Sequence, residues 1–81
     1  MPRYYFHVLD GRDFIDLSGT ELPDLFAARR EAVRFAGALL SEKPDALWTN
    51  SEWTMQVTDE TEHTLFRIIF APGDPVSIER G

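Results

Sequence analysis

The chain has 81 residues, 43% of them hydrophobic and 27% charged, with a formal net charge of −6 and no cysteine. This length and composition fit one domain with one hydrophobic core. The excess of carboxylates disfavours direct nucleic-acid binding, which relies on Lys and Arg to neutralise phosphates, and the lack of cysteine excludes disulfides, thiolate metal ligands and a cysteine nucleophile.

The start of the chain carries no pattern typical of a targeting segment. Met1-Pro2-Arg3 runs directly into strand-like residues, and no apolar stretch approaches the roughly 20 residues that a membrane span needs. We therefore expect a cytoplasmic protein that does not bind membranes. Because small domains often gain stability by association, we also expect a homodimer.

The first predicted elements are two strands joined in a hairpin. Residues 3–9 alternate two sets of aromatic and β-branched side chains, which favours a strand. Asp10-Gly11 is a strong hairpin signal, and Phe14–Leu17 is expected to return beside the first strand. A turn should follow, in which Asp16 accepts backbone hydrogen bonds and Gly19 adopts a positive φ.

One long helix is predicted from about Leu25 to Glu42. Asp24 supplies an N-cap, and Pro44 prevents continuation. At about 100° per residue, one half of the helix is apolar and should pack on a sheet; it holds Leu25, Phe26, Ala28, Ala32, Val33, Phe35, Ala36, Leu39 and Leu40. Arg29 falls within this half, and Arg30 and Arg34 lie opposite, where they form either a grip for an acidic partner or, as we favour, a solvated face.

A second hairpin is predicted from residues 53–58 and 65–70, joined by a polar turn over 59–62. Between the helix and this hairpin, residues 44–51 are expected to form a loop that tucks in Leu47 and Trp48. The expected fold is α+β, with order ββαββ: a four-stranded, mainly antiparallel sheet with one helix packed across one face. Residues 1–70 form the compact domain, and residues 71–81 form a Pro- and Gly-containing tail.

Strand alternation divides the predicted sheet into two faces. The helix-facing set is Tyr4, Phe6, Val8, Trp53, Met55, Val57, Phe66, Ile68 and Phe70, and the opposite set is Tyr5, His7, Leu9, Thr54, Gln56, Thr58, Leu65, Arg67 and Ile69. The opposite face is too apolar for an ordinary solvated surface. We therefore expect Tyr5, Leu9, Leu65 and Ile69 to form an interface between two copies. On the same face Tyr5, His7, Gln56 and Arg67 are candidates for binding a small anion or a peptide carboxylate.

Signals for catalysis or for a cofactor are weak. Asp10, Asp13 and Asp16 recur every three residues, but this spacing matches no EF-hand, and we favour turn and capping roles over a metal site. His7 and His63 do not have a two-histidine ligand spacing. The sequence contains no G-x-S-x-G elbow, G-x-G-x-x-G or P-loop motif. We predict no catalytic residue and no cofactor.

Several short motifs are spread along most of the chain: the opening Met1-Pro2-Arg3-Tyr4-Tyr5-Phe6-His7-Val8, then Asp10-Gly11, Asp16-x-x-Gly19-Thr20-Glu21-Leu22, Leu25, Ala28-Arg29-Arg30-Glu31-Ala32 and Val57-Thr58-Asp59-Glu60. Together these motifs resemble a family of short bacterial proteins known only as a domain of unknown function. The likeness extends to about Phe70 and implies a small compact domain without an assigned activity. The turn over 59–63 departs from the family pattern because it lacks a glycine.

Three functions remain open on the sequence alone. The first is a non-catalytic protein-interaction or regulatory module, expected to be homodimeric. The second is a small-ligand-binding protein or minor enzyme that uses His7, Arg67 and Tyr5. The third is an antitoxin-like regulator, because Leu22-Pro23-Asp24-Leu25 and the helix after it follow the order of small antitoxin modules. An enclosed pocket beside His7 would favour the second function over the first.

Overall fold

The computed structural model describes residues 1–9, 13–42, 52–71 and 77–80. Its elements are β1 (Arg3–Leu9), β2 (Thr20–Glu21), α1 (Leu25–Glu42), β3 (Trp53–Thr58), β4 (Thr64–Phe70) and β5 (Ser77–Arg80). The strands form one antiparallel sheet in the order β2-β1-β3-β4-β5, and α1 packs on one face of it. The predicted α+β class, with one helix packed on one face of an antiparallel sheet, is confirmed for these residues. The predicted Asp10-Gly11 turn and the loop with Leu47 and Trp48 lie outside the described residues.

The sheet has one strand more than predicted. β5 pairs with β4, so that Ile78 lies opposite Ile68 and Arg80 lies opposite Phe66. The sequence prediction treated residues 71–81 as a tail, because four residues after a Pro- and Gly-containing stretch are too few for a clear alternating pattern. Residues 77–80 nevertheless extend the sheet at the edge of β4.

The position of the second strand also differs from the prediction. The strand expected over Phe14–Leu17 is reduced to a single bridge, in which Phe14 and Val8 exchange two backbone hydrogen bonds of 2.7 and 2.9 Å. β2 forms later, at Thr20–Glu21. Between these two points the Asp16 carboxylate accepts a hydrogen bond from the Phe6 backbone N–H at 3.2 Å. A side chain thus takes the place of a strand carbonyl, which is why the segment leaves the ladder there.

The helix has the predicted bounds. The Ala27 backbone N–H donates to Asp24 Oδ1 at 2.8 Å, the bond expected of an N-cap. The alanines of α1 that contact the sheet are Ala28, Ala32 and Ala36, each at most 2% exposed. The described part of the chain contains no helix long and apolar enough to cross a membrane.

The core forms between α1 and the predicted face of the sheet. Eight of the nine predicted sheet residues are buried: Tyr4, Phe6, Val8, Trp53, Met55, Val57, Phe66 and Ile68. Phe70 is partly buried and packs edge-on against Trp53. The assignment of strand faces from alternation is therefore confirmed for this side of the sheet.

Two helix residues that were predicted to pack are exposed instead. Phe26 is 62% exposed and Val33 is 60% exposed. Both lie roughly a quarter turn from the alanines that contact the sheet. The apolar half of α1 is thus wider than the part that the sheet covers.

A bulge changes the side to which Leu65 belongs. Val57 pairs with Phe66, but the next residue, Thr58, pairs with Thr64, so Leu65 is an extra residue in β4. Leu65 packs against the core cluster, whereas the alternation had placed it on the opposite face. Thr64 takes that position instead, and its Oγ1 accepts a hydrogen bond from Gln56 Nε2 at 2.6 Å.

Candidate functional site

The face of the sheet opposite α1 carries a line of polar side chains across four strands. His7 lies opposite Gln56, Gln56 opposite Arg67, and Arg67 opposite Glu79. We call these four residues the polar row. Tyr5 stacks beside His7, with ring centroids 6.5 Å apart and planes 7° apart. The structure therefore brings the four predicted binding residues, Tyr5, His7, Gln56 and Arg67, onto one face.

Both ring nitrogens of His7 are engaged within the domain. The Asp16 backbone N–H donates to His7 Nδ1 at 3.0 Å. Because Nδ1 accepts, the ring proton lies on Nε2, which donates to Thr58 Oγ1 at 3.1 Å. In this arrangement neither nitrogen faces a ligand, and His7 fastens the segment after β1 to the sheet.

Asp16 completes the same attachment. Its Oδ1 accepts hydrogen bonds from the backbone N–H groups of Ser18 and Gly19 at 3.1 and 3.0 Å, while its Oδ2 accepts from Phe6. Gly19 has a φ of 71°, so the predicted turn is confirmed. Burial acts to raise the pKa of Asp16, but hydrogen bonds from Gly19, Phe6 and Ser18, with a contribution from His7, outweigh it and lower the pKa.

The aspartates do not form a metal site within the described residues. No group of three His, Asp or Glu side chains there is close enough to hold an ion. Asp13 is exposed, and Asp10 lies outside the described residues. The three lone-pair directions of Asp16 that the structure uses all point to backbone amides, which agrees with the favoured turn role.

The second histidine, His63, belongs to the turn between β3 and β4. Its Nδ1 lies 2.7 Å from Thr61 Oγ1 and 3.7 Å from Asp59 Oδ2. A catalytic triad uses the two ring nitrogens separately, one for the nucleophile and one for the carboxylate. Here a single nitrogen faces both partners, so the cluster stabilises a turn. The Thr61 hydroxyl bond to Asp59, opposed by desolvation and aided by backbone bonds and His63, lowers the pKa of Asp59.

Only three of the four predicted interface residues lie on the same face of the sheet. Tyr5, Leu9 and Ile69 share the face of the polar row and are each partly buried. Leu65 packs on the core side instead. Two of the exposed large apolar side chains, Ile15 and Leu17, line a cavity with Tyr5 and His7. The other exposed large apolar side chains of the described residues are Met1, Phe14, Phe26, Val33 and Ile78.

A groove between α1 and the β4–β5 edge was missed by the sequence reasoning. It has a volume of about 350 Å³, and its described lining residues are Arg29, Val33, Phe66, Ile68, Ile78 and Arg80. We call it the helix-side groove. Two signals pointed to it: Arg29 within the apolar half of the helix, and an apolar half wider than a single sheet contact requires.

A family model matches most of the chain. The family DUF6894, described as a domain of unknown function, matches residues 3–71. The chain belongs to this family. The DUF6894 match confirms the resemblance seen in the sequence and runs from β1 to the end of β4, so that β5, which supplies Ile78 and Arg80, lies beyond the matched region. No curated protein and no solved structure matched the chain.

Proposed function

We propose that this domain is a non-catalytic protein-interaction module that binds its partner through the helix-side groove. The observation that supports the proposal is the exposure of apolar side chains at the groove, where Val33 is 60% and Ile78 is 66% exposed. Contiguous exposed apolar surface usually marks an interaction site. The groove is also a concave surface between α1 and the β4–β5 pair.

The arrangement of the polar side chains supports a binding role over catalysis. Among the described residues, both histidines and the carboxylates of Asp16 and Asp59 serve turns and strand edges. Arg67 Nε lies 3.5 Å from Glu79 Oε1. A catalytic site instead requires a nucleophile or base held ready for a substrate.

Site-specific crosslinking tests this function. A photoreactive phenylalanine analogue is placed at Val33 or Ile78, and at Leu17, an equally accessible apolar position (87% exposed) beside β1. We expect a crosslinked protein species in native cells from the two groove positions and none from Leu17. Crosslinks from Leu17 but not from the groove would refute the proposed docking surface.

Self-association remains a second proposal for the interaction module. Tyr5, Leu9 and Ile69 would supply the apolar part of a symmetric contact on the face of the polar row. Each of them is already partly buried within one copy, whereas Val33 and Ile78 at the groove are exposed. Light scattering measures the expected dimer directly.

The small-ligand alternative would use His7, Arg67 and Tyr5. A cavity of about 230 Å³ does adjoin Tyr5 and His7, but its lining includes Asp59, Glu60 and Glu62. These carboxylates would repel the anion that the sequence suggested. The third candidate, an antitoxin-like regulator, would require salt-dependent retention on nucleic acid, which the net charge of −6 disfavours.

A further inference from the structure

Within the described part of the chain, the sheet is wider than α1, the helix that packs on it. Five strands spaced about 4.8 Å apart span roughly 19 Å between the outer strand axes, whereas one helix is about 10 Å wide. α1 packs mainly over β3. Beside it, Phe66, Ile68 and Ile78 of β4 and β5 form the floor of the helix-side groove. Because β3 is the central strand, the remaining width is divided between the two sides of α1, and on the β4–β5 side the exposed side chains of Val33 and Ile78 border the groove.

The charge at the groove is opposite in sign to that of the whole chain. Arg29 lines it from α1 and Arg80 from β5, and none of the described lining residues is a carboxylate. Neither arginine forms an ion pair with another described residue. In a chain with a net charge of −6, two arginines flanking an apolar floor favour a partner with carboxylates.

The helix surface next to the groove carries two more arginines, one of which is paired with a glutamate. Arg30 lies over the Phe26 ring, 5.0 Å from its centroid, and Arg34 pairs with Glu31 at 2.8 Å. Gly37 lies on this flank too, and a Cβ placed there would meet no atom within 4 Å. A second helix can therefore approach α1 closely along this side.

Resting on the proposed function, we infer that the partner segment is an amphipathic α-helix with acidic residues, which lies beside α1 across β4 and β5. Its apolar side chains, at positions i, i+3, i+4 and i+7, would contact Val33 and Ile78, which are exposed. Its carboxylates would flank this stripe and pair with Arg29 and Arg80. This arrangement completes a two-helix layer over the five-stranded sheet.

The test uses three designed peptides of about 18 residues with capped ends, long enough for about five turns. The first carries a leucine stripe flanked by glutamates. The second has glutamine in place of each glutamate, and the third has serine in place of each leucine. Binding is measured by fluorescence anisotropy, and the site by amide chemical shifts of the isotope-labelled full chain. We expect the first peptide to bind more tightly than the other two and to shift Arg29, Val33, Ile78 and Arg80.

Matched variants separate the groove from general charge effects. Arg80→Gln should weaken binding of the acidic peptide by about two- to fivefold, as expected for one surface ion pair. Arg67→Gln removes the same charge from the opposite face of the sheet and should have no such effect. Ile78→Ser should weaken binding by about tenfold; because Ile78 is 66% exposed, the domain should still fold, which its thermal melting curve checks.

Each result tests a different property of the proposed partner: its charge, its position, its helical form or its being a protein. Equal binding of the glutamate and glutamine peptides would overturn the acidic partner, and shifts confined to the polar row would overturn its position. Crosslinks from Val33 and Ile78 without binding of any peptide would overturn the helical partner while leaving the proposed function intact. Sedimentation with phosphatidylserine vesicles that is lost in Arg29→Gln/Arg80→Gln would overturn the protein partner in favour of an anionic lipid surface.

Discussion

The substitution Asp16→Asn isolates the role of one carboxylate at the edge of the sheet. In the native domain Oδ1 accepts from Ser18 and Gly19, and Oδ2 accepts from Phe6. Asparagine is nearly isosteric but offers one acceptor oxygen and one NH₂ group. Whichever way the amide is oriented, its NH₂ group faces a backbone N–H, so the hydrogen bonds accepted by either Oδ1 or Oδ2 are lost.

The expected cost follows from the number and kind of bonds. A hydrogen bond to a charged acceptor contributes about 1.5–3 kcal/mol when it is well buried. Asp16 is only partly buried, and water replaces some of the lost bonding. We therefore expect Asp16→Asn to lower the free energy of unfolding by about 1–2 kcal/mol, or the Tm by about 4–16 °C for a domain of this size.

Urea denaturation at neutral pH, followed by tryptophan fluorescence or circular dichroism, measures this difference. Asp13→Asn serves as the control, because Asp13 is exposed and should change stability by less than about 0.5 kcal/mol. Equal midpoints for Asp16→Asn and wild type would show that the three amide bonds contribute nothing to stability. A large effect of Asp13→Asn would point to general charge instead.

The difference should also depend on pH. Since the native pKa of Asp16 is lowered from its ordinary value of 3.8, its contribution is fully present above about pH 4 and is lost as the pH falls through the lowered native value. The gap between wild type and Asp16→Asn should therefore be largest near neutral pH and should shrink below pH 4. A gap that grows on acidification would contradict the assignment.

Four further predictions depend on single positions. Asp24→Ala should lower the free energy of unfolding by about 1 kcal/mol through loss of the helix cap, and an unchanged urea midpoint would mean that the cap contributes nothing. Gly37→Ala should raise the free energy of unfolding by about 0.5–1 kcal/mol, because the added Cβ meets open space. A lower urea midpoint would mean that another group already occupies the space beside Gly37. Glu62 has a φ of 67°, so Glu62→Gly should raise the free energy of unfolding by up to about 1 kcal/mol. The same change at the nearby Glu60 should not raise it. If the chain dimerises through the polar-row face, light scattering at tens of micromolar should give a dimer for wild type and a monomer for Ile69→Asp; a monomeric wild type would refute this.

Local chemistry predicted much of the fold. The alternation over 3–9 and 53–58 assigned the faces of β1 and β3, and Asp24 placed the start of α1 where it is found. These elements follow from side-chain spacing and capping, which are properties of short segments. The resemblance to the family was likewise visible in local motifs.

Features that depend on how segments meet were not predicted. The alternation of β4 is interrupted at Leu65 by a bulge that only the pairing with β3 reveals. β2 is displaced because the Asp16 carboxylate competes for a backbone amide. A helical wheel indicates which side of α1 is apolar, but how much of that side the sheet covers depends on tertiary placement, which is why the exposure of Val33 was unexpected.

For the candidate site, the sequence predicted on which face of the sheet each residue lies, but not which groups it contacts. Strand parity placed His7, Gln56 and Arg67 on one face, and the register aligns them in a row. The partners that occupy His7, namely the Asp16 amide and Thr58, depend on the path of the chain after β1. The groove needs β5, whose pattern was too short to detect.

The position of Asp16 also has a bearing on aggregation. Beyond β2, which has two residues, the outer edge of β1 would present backbone groups on which a strand of another molecule could add. A carboxylate bound to the Phe6 amide puts a negative charge there, and an incoming strand would have to displace it. Because acid removes that charge, lowering the pH would both loosen the segment after β1 and leave this edge open to intermolecular pairing.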